Sequence, residues 1–266
     1  MFCLKTPSKM LARVLFAAMA FAAVMAAATI PIPGLCNTGV VGPCNGGPGT
    51  GGLSAIGVAD QNWQLALPAP SSPSSTPVTT LSGLVFGPNS AFVNTPNAAW
   101  LVNGPSSEWI TPMVTNSPGG FYVYQTTFTI PTGYVPSTAM ITGVFTSDNE
   151  GSSVFLNGSK VLSGVVFPGP ADFASFTGSF TLNSTNVTFQ SGLNTLDFVI
   201  RNRGVGGIDS NPTDTGLRVE FNPQLSTVST PEPATMPLIA SALIGLGLVW
   251  RRRRTKKRSH PDIDAL

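Results

Sequence analysis

The chain has a single histidine in 266 residues, His260, and it lies in a charged C-terminal tail. Histidine-based catalytic triads, HExxH zinc sites and imidazole proton relays therefore have no residue to use in the body of the protein. Charge is also scarce, with 14 Lys and Arg against 12 Asp and Glu, together 10% of the residues. Cysteine occurs three times, and no stretch of the body carries a sustained helical period or an internal repeat of fixed length. What is abundant is punctuation: Gly 28 and Pro 24 make up about a fifth of the chain. Short β-branched runs between such turn residues predict an all-β fold.

The two ends differ from the rest. Lys5, Lys9 and Arg13 precede an uncharged run from Val14 to Ala28, then Pro31 and Pro33. This is the pattern of a secretory signal peptide spanning residues 1–28. The small residues Ala26 and Ala28 place the signal peptidase cut after Ala28. At the other end, the uncharged stretch Pro233 to Trp250 is followed by Arg251, Arg252, Arg253 and Arg254, then Lys256, Lys257 and Arg258. Eighteen helical residues span about 27 Å, close to a hydrocarbon core of about 30 Å, so a C-terminal transmembrane helix with a stop-transfer cluster is expected. The positive-inside rule puts the arginines in the cytoplasm and everything upstream outside. An Arg run can also bind phosphates, but its attachment to an apolar span argues against a nucleic-acid partner.

Pro231-Glu232-Pro233, the apolar stretch with Gly245 and Gly247, and the Arg cluster together resemble the PEP-CTERM sorting signal of exported bacterial proteins. The resemblance implies recognition by an exosortase, an integral membrane transpeptidase-like enzyme. That enzyme cuts near the tripeptide and releases or reattaches the body at the cell surface or in the extracellular matrix. The expected segments are a signal peptide at 1–28, a Gly/Pro-rich segment at 29–55, a sandwich domain at 56–222, a linker at 223–230, the sorting signal at 231–258 and a tail at 259–266.

Without its ends the body is acidic. Between Thr29 and Thr230 there are four basic residues (Lys160, Arg201, Arg203, Arg218) against nine acidic ones, a net charge near −5. Such a surface does not attract nucleic acid. Ser, Thr, Asn and Gly must supply most of its polarity, which suits a polysaccharide-rich setting. Cys3 falls within the signal peptide, leaving Cys36 and Cys44 for a local disulfide in an oxidising compartment. That bridge would staple the segment 33–52 and contribute little to a distant core.

The strands expected are within Leu53–Leu67, then Tyr122–Ile130, Ala139–Thr146, Ser153–Leu156, Val161–Phe167, Ala174–Leu182, Leu193–Arg201 and Gly216–Phe221. Pro68 to Pro77 reads as a surface loop, and Asn157-Gly158 as a two-residue hairpin turn. Strands at this spacing call for an antiparallel β-sandwich. The ordered series Asp60-x-Asn62-Trp63, Ala99-Trp100, Ser107-Glu-Trp109-Ile110, Tyr122 to Phe128, Ser147-Asp148-Asn149, Leu156-Asn157-Gly158, Gly192 to Phe198 and Asn211-Pro212 to Arg218 is similar to the jelly-roll, galactose-binding-like body found in many PEP-CTERM proteins. Members of that wider fold group bind glycans, accompany glycosidases or have no known ligand.

Chemistry in the body rests on few residues. Asp148, Asn149 and Glu150 could offer oxygen ligands to a structural Ca²⁺, or form a turn bonded to backbone amides. Asp209, Asn211 and Asp214 form a similar acidic loop. Trp100 and Trp109 could stack on sugar rings or pack in the core. Arg201 and Arg203, two apart on a strand, could clamp a uronic acid or form ion pairs. A glycosidase needs two converging carboxylates, and nothing in the sequence marks such a pair. The expectation is an exported, non-catalytic body associated with exopolysaccharide, a glycan-binding module being the alternative and a hydrolase a third possibility.

Overall fold

The computed structural model describes residues 27–67, 73–224 and 227–230. The predicted signal peptide up to residue 26, the sorting tripeptide, the C-terminal span and the Arg cluster lie outside the described residues. Among those described, no helix is long and apolar enough to cross a membrane. Residues Ala28–Thr230 form one compact unit.

The body is all-β, as expected. Its thirteen strands are β1 (Thr29–Pro31), β2 (Ala59–Leu67), β3 (Val85–Asn94), β4 (Trp109–Thr111), β5 (Gly120–Ile130), β6 (Val135–Asp148), β7 (Glu150–Leu156), β8 (Ser159–Lys160), β9 (Val165–Val166), β10 (Gly178–Asn183), β11 (Gly192–Asn202), β12 (Gly216–Phe221) and β13 (Thr227–Ser229). All pairings are antiparallel. The hydrogen-bonded path runs β1-β13-β6-β12-β4-β3-β2-β5-β11-β7-β8, with β10 beside β6 and β9 beside β10. The path folds back on itself at β4, which touches β12 by one residue pair, Leu217 with Ile110.

The layering follows from the rings. Phe145 on β6 and Phe180 on β10 stand 5.3 and 5.5 Å from Phe198 on β11, a strand to which neither is hydrogen-bonded. Trp63 on β2 meets both Phe198, at 5.9 Å, and Phe221 on β12, at 6.4 Å. Two layers, β10-β6-β12 and β2-β5-β11-β7, thus face each other across an aromatic core, the arrangement of a β-sandwich. Gly143 makes room for one of these rings. It lies opposite Phe180 across β6 and β10, and a Cβ there would stand 2.5 Å from the Phe180 ring and from the Glu220 carbonyl.

β5 records how the layers are covered. Residues 120–124 are all buried, whereas from 125 to 130 burial alternates. Strict alternation is the mark of a sheet with one face wet, and continuous burial that of a sheet covered on both faces. The second cover is the segment after the Pro/Ser run. Val78, Leu81, Leu84 and Phe86 pack on a small outer cluster of Phe121, Val123, Phe155 and Val199. The Phe121 amide donates to the Ser74 carbonyl at 2.7 Å.

Several sequence expectations need adjustment. Segment 29–55 is integral to the body. Ile32 and Leu35 belong to the main core, and the Thr38 hydroxyl donates to the Glu108 carbonyl at 2.7 Å. Cys36 and Cys44 form the expected disulfide, with Cα atoms 5.4 Å apart, but both are buried with Val40. The Trp63 indole N–H donates to the Cys36 carbonyl at 3.2 Å, so the bridged loop is tied to the central tryptophan and is not remote from the core. The strand expected over Val161–Phe167 reduces to β9, with Leu162 exposed ahead of it. No strand is expected over Val85–Asn94, where β3 carries Gly87-Pro88. A bulge absorbs it: the register shifts between Leu65 and Leu67, and Gly87 has φ of 110°.

Candidate functional site

The C-terminal edge of the body is built from three strands. β13 pairs with β1 on one side, Thr29 opposite Ser229 and Ile30 opposite Val228, and with β6 on the other. Val228 is fully buried, which anchors the strand. Thr138 on β6 accepts the Ser229 amide at 2.9 Å through its hydroxyl, which in turn donates to the Val135 carbonyl at 2.7 Å. One residue further, the Thr230 amide donates to the Ala28 carbonyl at 2.9 Å, and the Ala28 amide donates to Thr230 Oγ1 at 3.0 Å. Thr230 directly precedes Pro231.

The residues proposed for ligand contact are engaged internally. Trp100 and Trp109 are 5% and 0% exposed, with ring centroids 4.3 Å apart. The Trp100 indole N–H donates to Asp148 Oδ2 at 2.7 Å, and that of Trp109 to the Leu101 carbonyl at 2.6 Å. Neither ring offers a face for a sugar. Trp63, Tyr122 and Tyr124 are buried as well.

Asp148, Asn149 and Glu150 do not converge. Asp148 turns to Trp100, the Asn149 side-chain oxygen accepts the Arg203 amide, and Glu150 takes the Arg203 guanidinium in a two-oxygen pair at 2.9 and 3.0 Å. Trp100 takes one of them and Arg203 the other two, through its backbone amide and its guanidinium, so all three side chains are engaged within the chain. Burial pushes the Asp148 carboxyl up to about 6, the Trp100 bond opposing it and the Asp214 charge adding to it. Arg201 pairs with Asp209 at 3.2 Å and lies over the Phe121 ring at 5.0 Å. The two arginines thus hold acids of this chain, the ion-pair arrangement rather than an open clamp for an acidic sugar.

The most elaborate polar cluster was not legible in the sequence. Asp60 is buried and accepts the amides of Gly39 (2.7 Å), Asn62 (2.8 Å) and Trp63 (3.1 Å). Burial nonetheless raises its carboxyl to about 6. Beside it Glu108, also raised by burial and opposed by the Arg218 charge, accepts Asn103 Nδ2 at 3.4 Å. Arg218 is 3% exposed, donates through Nε to Ser107 Oγ at 2.6 Å, pairs with Glu220 at 3.1 Å and caps the Phe176 ring at 5.0 Å. The cluster joins the N-terminal loop to β2, the segment leading into β4, and β12. Its groups are buried among one another, which suits bracing rather than substrate contact.

Two grooves open on the surface, one of them lined without any charged side chain. A groove of about 200 Å³ runs across the outer face of β2 and β5, where Asn62, Gln64, Gln125, Thr127 and Thr129 present amides and hydroxyls. Behind it Asp197 on β11 is fully buried and accepts Gln125 Nε2 at 2.7 Å, and burial pushes its carboxyl up to about 7. A second groove of about 320 Å³ lies beside the β7–β8 turn, lined by Asn157, Ser159, Lys160, Asn186, Thr188 and Gln190. Neither groove is lined by a carboxylate.

No curated protein and no solved structure matches the chain. One family does: residues 229–254, which begin inside β13 and run through the apolar stretch into the arginines, match the PEP-CTERM protein-sorting motif, the signature of an exported, cell-surface-directed substrate of exosortase.

Proposed function

We propose that this is a surface or extracellular-matrix protein with a non-catalytic jelly-roll-like body that works structurally in association with exopolysaccharide. In this reading signal peptidase removes residues 1–28. The C-terminal helix then holds the body at the inner membrane with its arginines in the cytoplasm, and exosortase cuts near Pro231-Glu232-Pro233. The observation that carries the reading is the sorting match at 229–254, set at the edge where the folded body ends. The non-catalytic part is supported by the internal engagement of Asp148, Glu150 and Asp209, which leaves the grooves without a carboxylate pair of the kind a glycosidase uses. The low charge of the body, with its amide- and hydroxyl-lined surface, supports a neutral polysaccharide environment.

The test is the intact mass and location of the expressed protein, with and without residues 231–266. Loss of both ends and recovery of the body outside the cell are expected for the full chain. A full tail persisting in the inner membrane would overturn the reading and leave an anchored ectodomain.

A second reading, a glycan-binding module, is favoured by the groove over β2 and β5. Amides both donate and accept, matching sugar hydroxyls without desolvating a charge. Affinity electrophoresis in gels containing dextran separates the two readings. A binder is retarded, and Gln64→Ala together with Thr127→Ala abolishes the retardation, whereas a purely structural body migrates as in a gel without polysaccharide.

A further inference from the structure

Ala28 and Thr230, the residues next to the two expected cuts, pair at one rung of the sheet. Thr230 is held by Ala28 through two hydrogen bonds, one from its amide and one to its hydroxyl oxygen. In the sequence beyond Thr230, Pro231 and Pro233 carry no N–H to offer a neighbouring strand. Only Pro231 and Glu232 separate this rung from the uncharged stretch that starts at Pro233, a reach of about 10 Å at most. An enzyme embedded in the membrane must therefore work within that span while the body stays folded. Processing enzymes take a substrate segment as an extended strand, and they act on paired segments only through the fraction that has opened. A residue locked to its neighbour is withheld from them.

With the signal peptidase cut after Ala28, both partners of Thr230 leave with the signal peptide. The rungs behind it remain: Thr29 with Ser229, Ile30 with Val228, and the Ser229 amide on Thr138. N-terminal cutting thus frees one residue next to the tripeptide and leaves the fold closed. Resting on the reading of the C-terminus as an exosortase substrate, we propose that Ala28 is a latch on Thr230, so that removal of the N-terminal signal precedes and releases the C-terminal cut. The released step breaks one peptide bond C-terminal to Thr230. Its acyl half passes to water or to an amine acceptor, whose proton goes to the amine that departs with the apolar segment. The latch orders the two events: no chain loses its C-terminal anchor while its N-terminal signal is still attached.

The experiment compares the full-length chain with Ala28→Leu, which spoils the small-x-small cleavage pattern at an exposed side chain while keeping the backbone rung, and with Ala28→Gly, which keeps both. Pulse–chase with intact-mass readout is expected to show the wild type and Ala28→Gly losing the signal first and the tail second. Ala28→Leu should lose the tail at least about tenfold more slowly. Hydrogen exchange on the peptide holding Ser229 and Thr230 distinguishes a latch from a second anchor. Exchange at Thr230 is expected to be about tenfold or more slower in the uncut chain than in the N-terminally cut one. Equal exchange, or tail loss from Ala28→Leu at the wild-type rate, overturns the latch while leaving the sorting reading intact. A wild type that never loses its tail overturns the sorting reading and the latch with it.

Discussion

Asp197→Asn is the substitution for which the structure gives the clearest magnitude. The Asp197 carboxyl is fully buried, holds one bond from Gln125, and its Oδ2 has no hydrogen-bond partner among the described residues. Burial raises it to about 7 from an ordinary 3.8. Below about pH 4 the group is protonated in both the folded and the unfolded chain and its ionisation costs nothing. Between about 4 and 7 the folded chain binds the proton that the unfolded chain has released, so wild-type stability falls by about 1.4 kcal/mol per pH unit from this residue. Above about 7 the loss levels off near 4 kcal/mol. Asparagine keeps an oxygen for Gln125 and carries no charge, so it lacks this slope. Asp60 and Asp148, both raised to about 6 by burial, titrate alike in the two proteins and cancel in the difference. Urea unfolding of the exported body, followed by tryptophan fluorescence from pH 4 to 8, measures that difference. The Asn variant should gain up to about 4 kcal/mol on the wild type between the two ends of the range. The new amide adds only a constant offset, so parallel stability curves would falsify the assignment of Asp197 as a buried acid that ionises at a cost.

Three further outcomes are expected. Trp100→Phe removes the indole bond to Asp148, whose other oxygen already has no partner among the described residues. Thermal unfolding should show a loss of about 2–3 kcal/mol at pH 8 and a smaller one at pH 4, where the carboxyl is protonated. Replacing Cys36 and Cys44 by Ser opens the bridged loop, and the denaturation midpoint should fall by an amount equivalent to about 2–3 kcal/mol. Gly158→Ala meets no atom within 4 Å, so the cost should come from its φ of 77° alone, about 1–2 kcal/mol by urea titration.

The legible parts of the fold were those set by neighbours in sequence. Asn157-Gly158 is a two-residue turn with φ of 50° and 77°, and Leu156 lies opposite Ser159, as Asn-Gly between two apolar runs requires. The strand Tyr122–Ile130 was found because its lower half alternates. Its buried upper half depends on Val78 to Phe86, a cover that no local pattern announces. The second task of Asn157 was not readable: its side chain accepts the Thr195 amide at 3.0 Å, a contact 38 residues away. The same holds for the candidate site. Trp100 has apolar neighbours in sequence, which signalled burial, but its polar partner Asp148 comes from the end of β6, 48 residues away. Arg218 meets Ser107 across 111 residues, and nothing near either one reveals the pairing. The acidic run Asp148 to Glu150 looks like a ligand set in one dimension. In the fold Asp148 is taken by Trp100 while Asn149 and Glu150 are both taken by Arg203, partners 48 to 54 residues away in sequence.

The meeting of Ala28 and Thr230 also says something about the body as an engineering object. A body whose first and last residues, Ala28 and Thr230, are hydrogen-bonded to each other is topologically almost a ring. Thr230 could be joined to Thr29 by a short flexible linker, and new ends opened at the Asn157-Gly158 turn, without asking any of the longer strands to change partner. Such a circular permutant would present its new ends beside the β7–β8 hairpin, away from the edge where β1, β13 and β6 pair. Cargo fused there would be displayed from a different edge of the sandwich than the one that leads into the sorting motif.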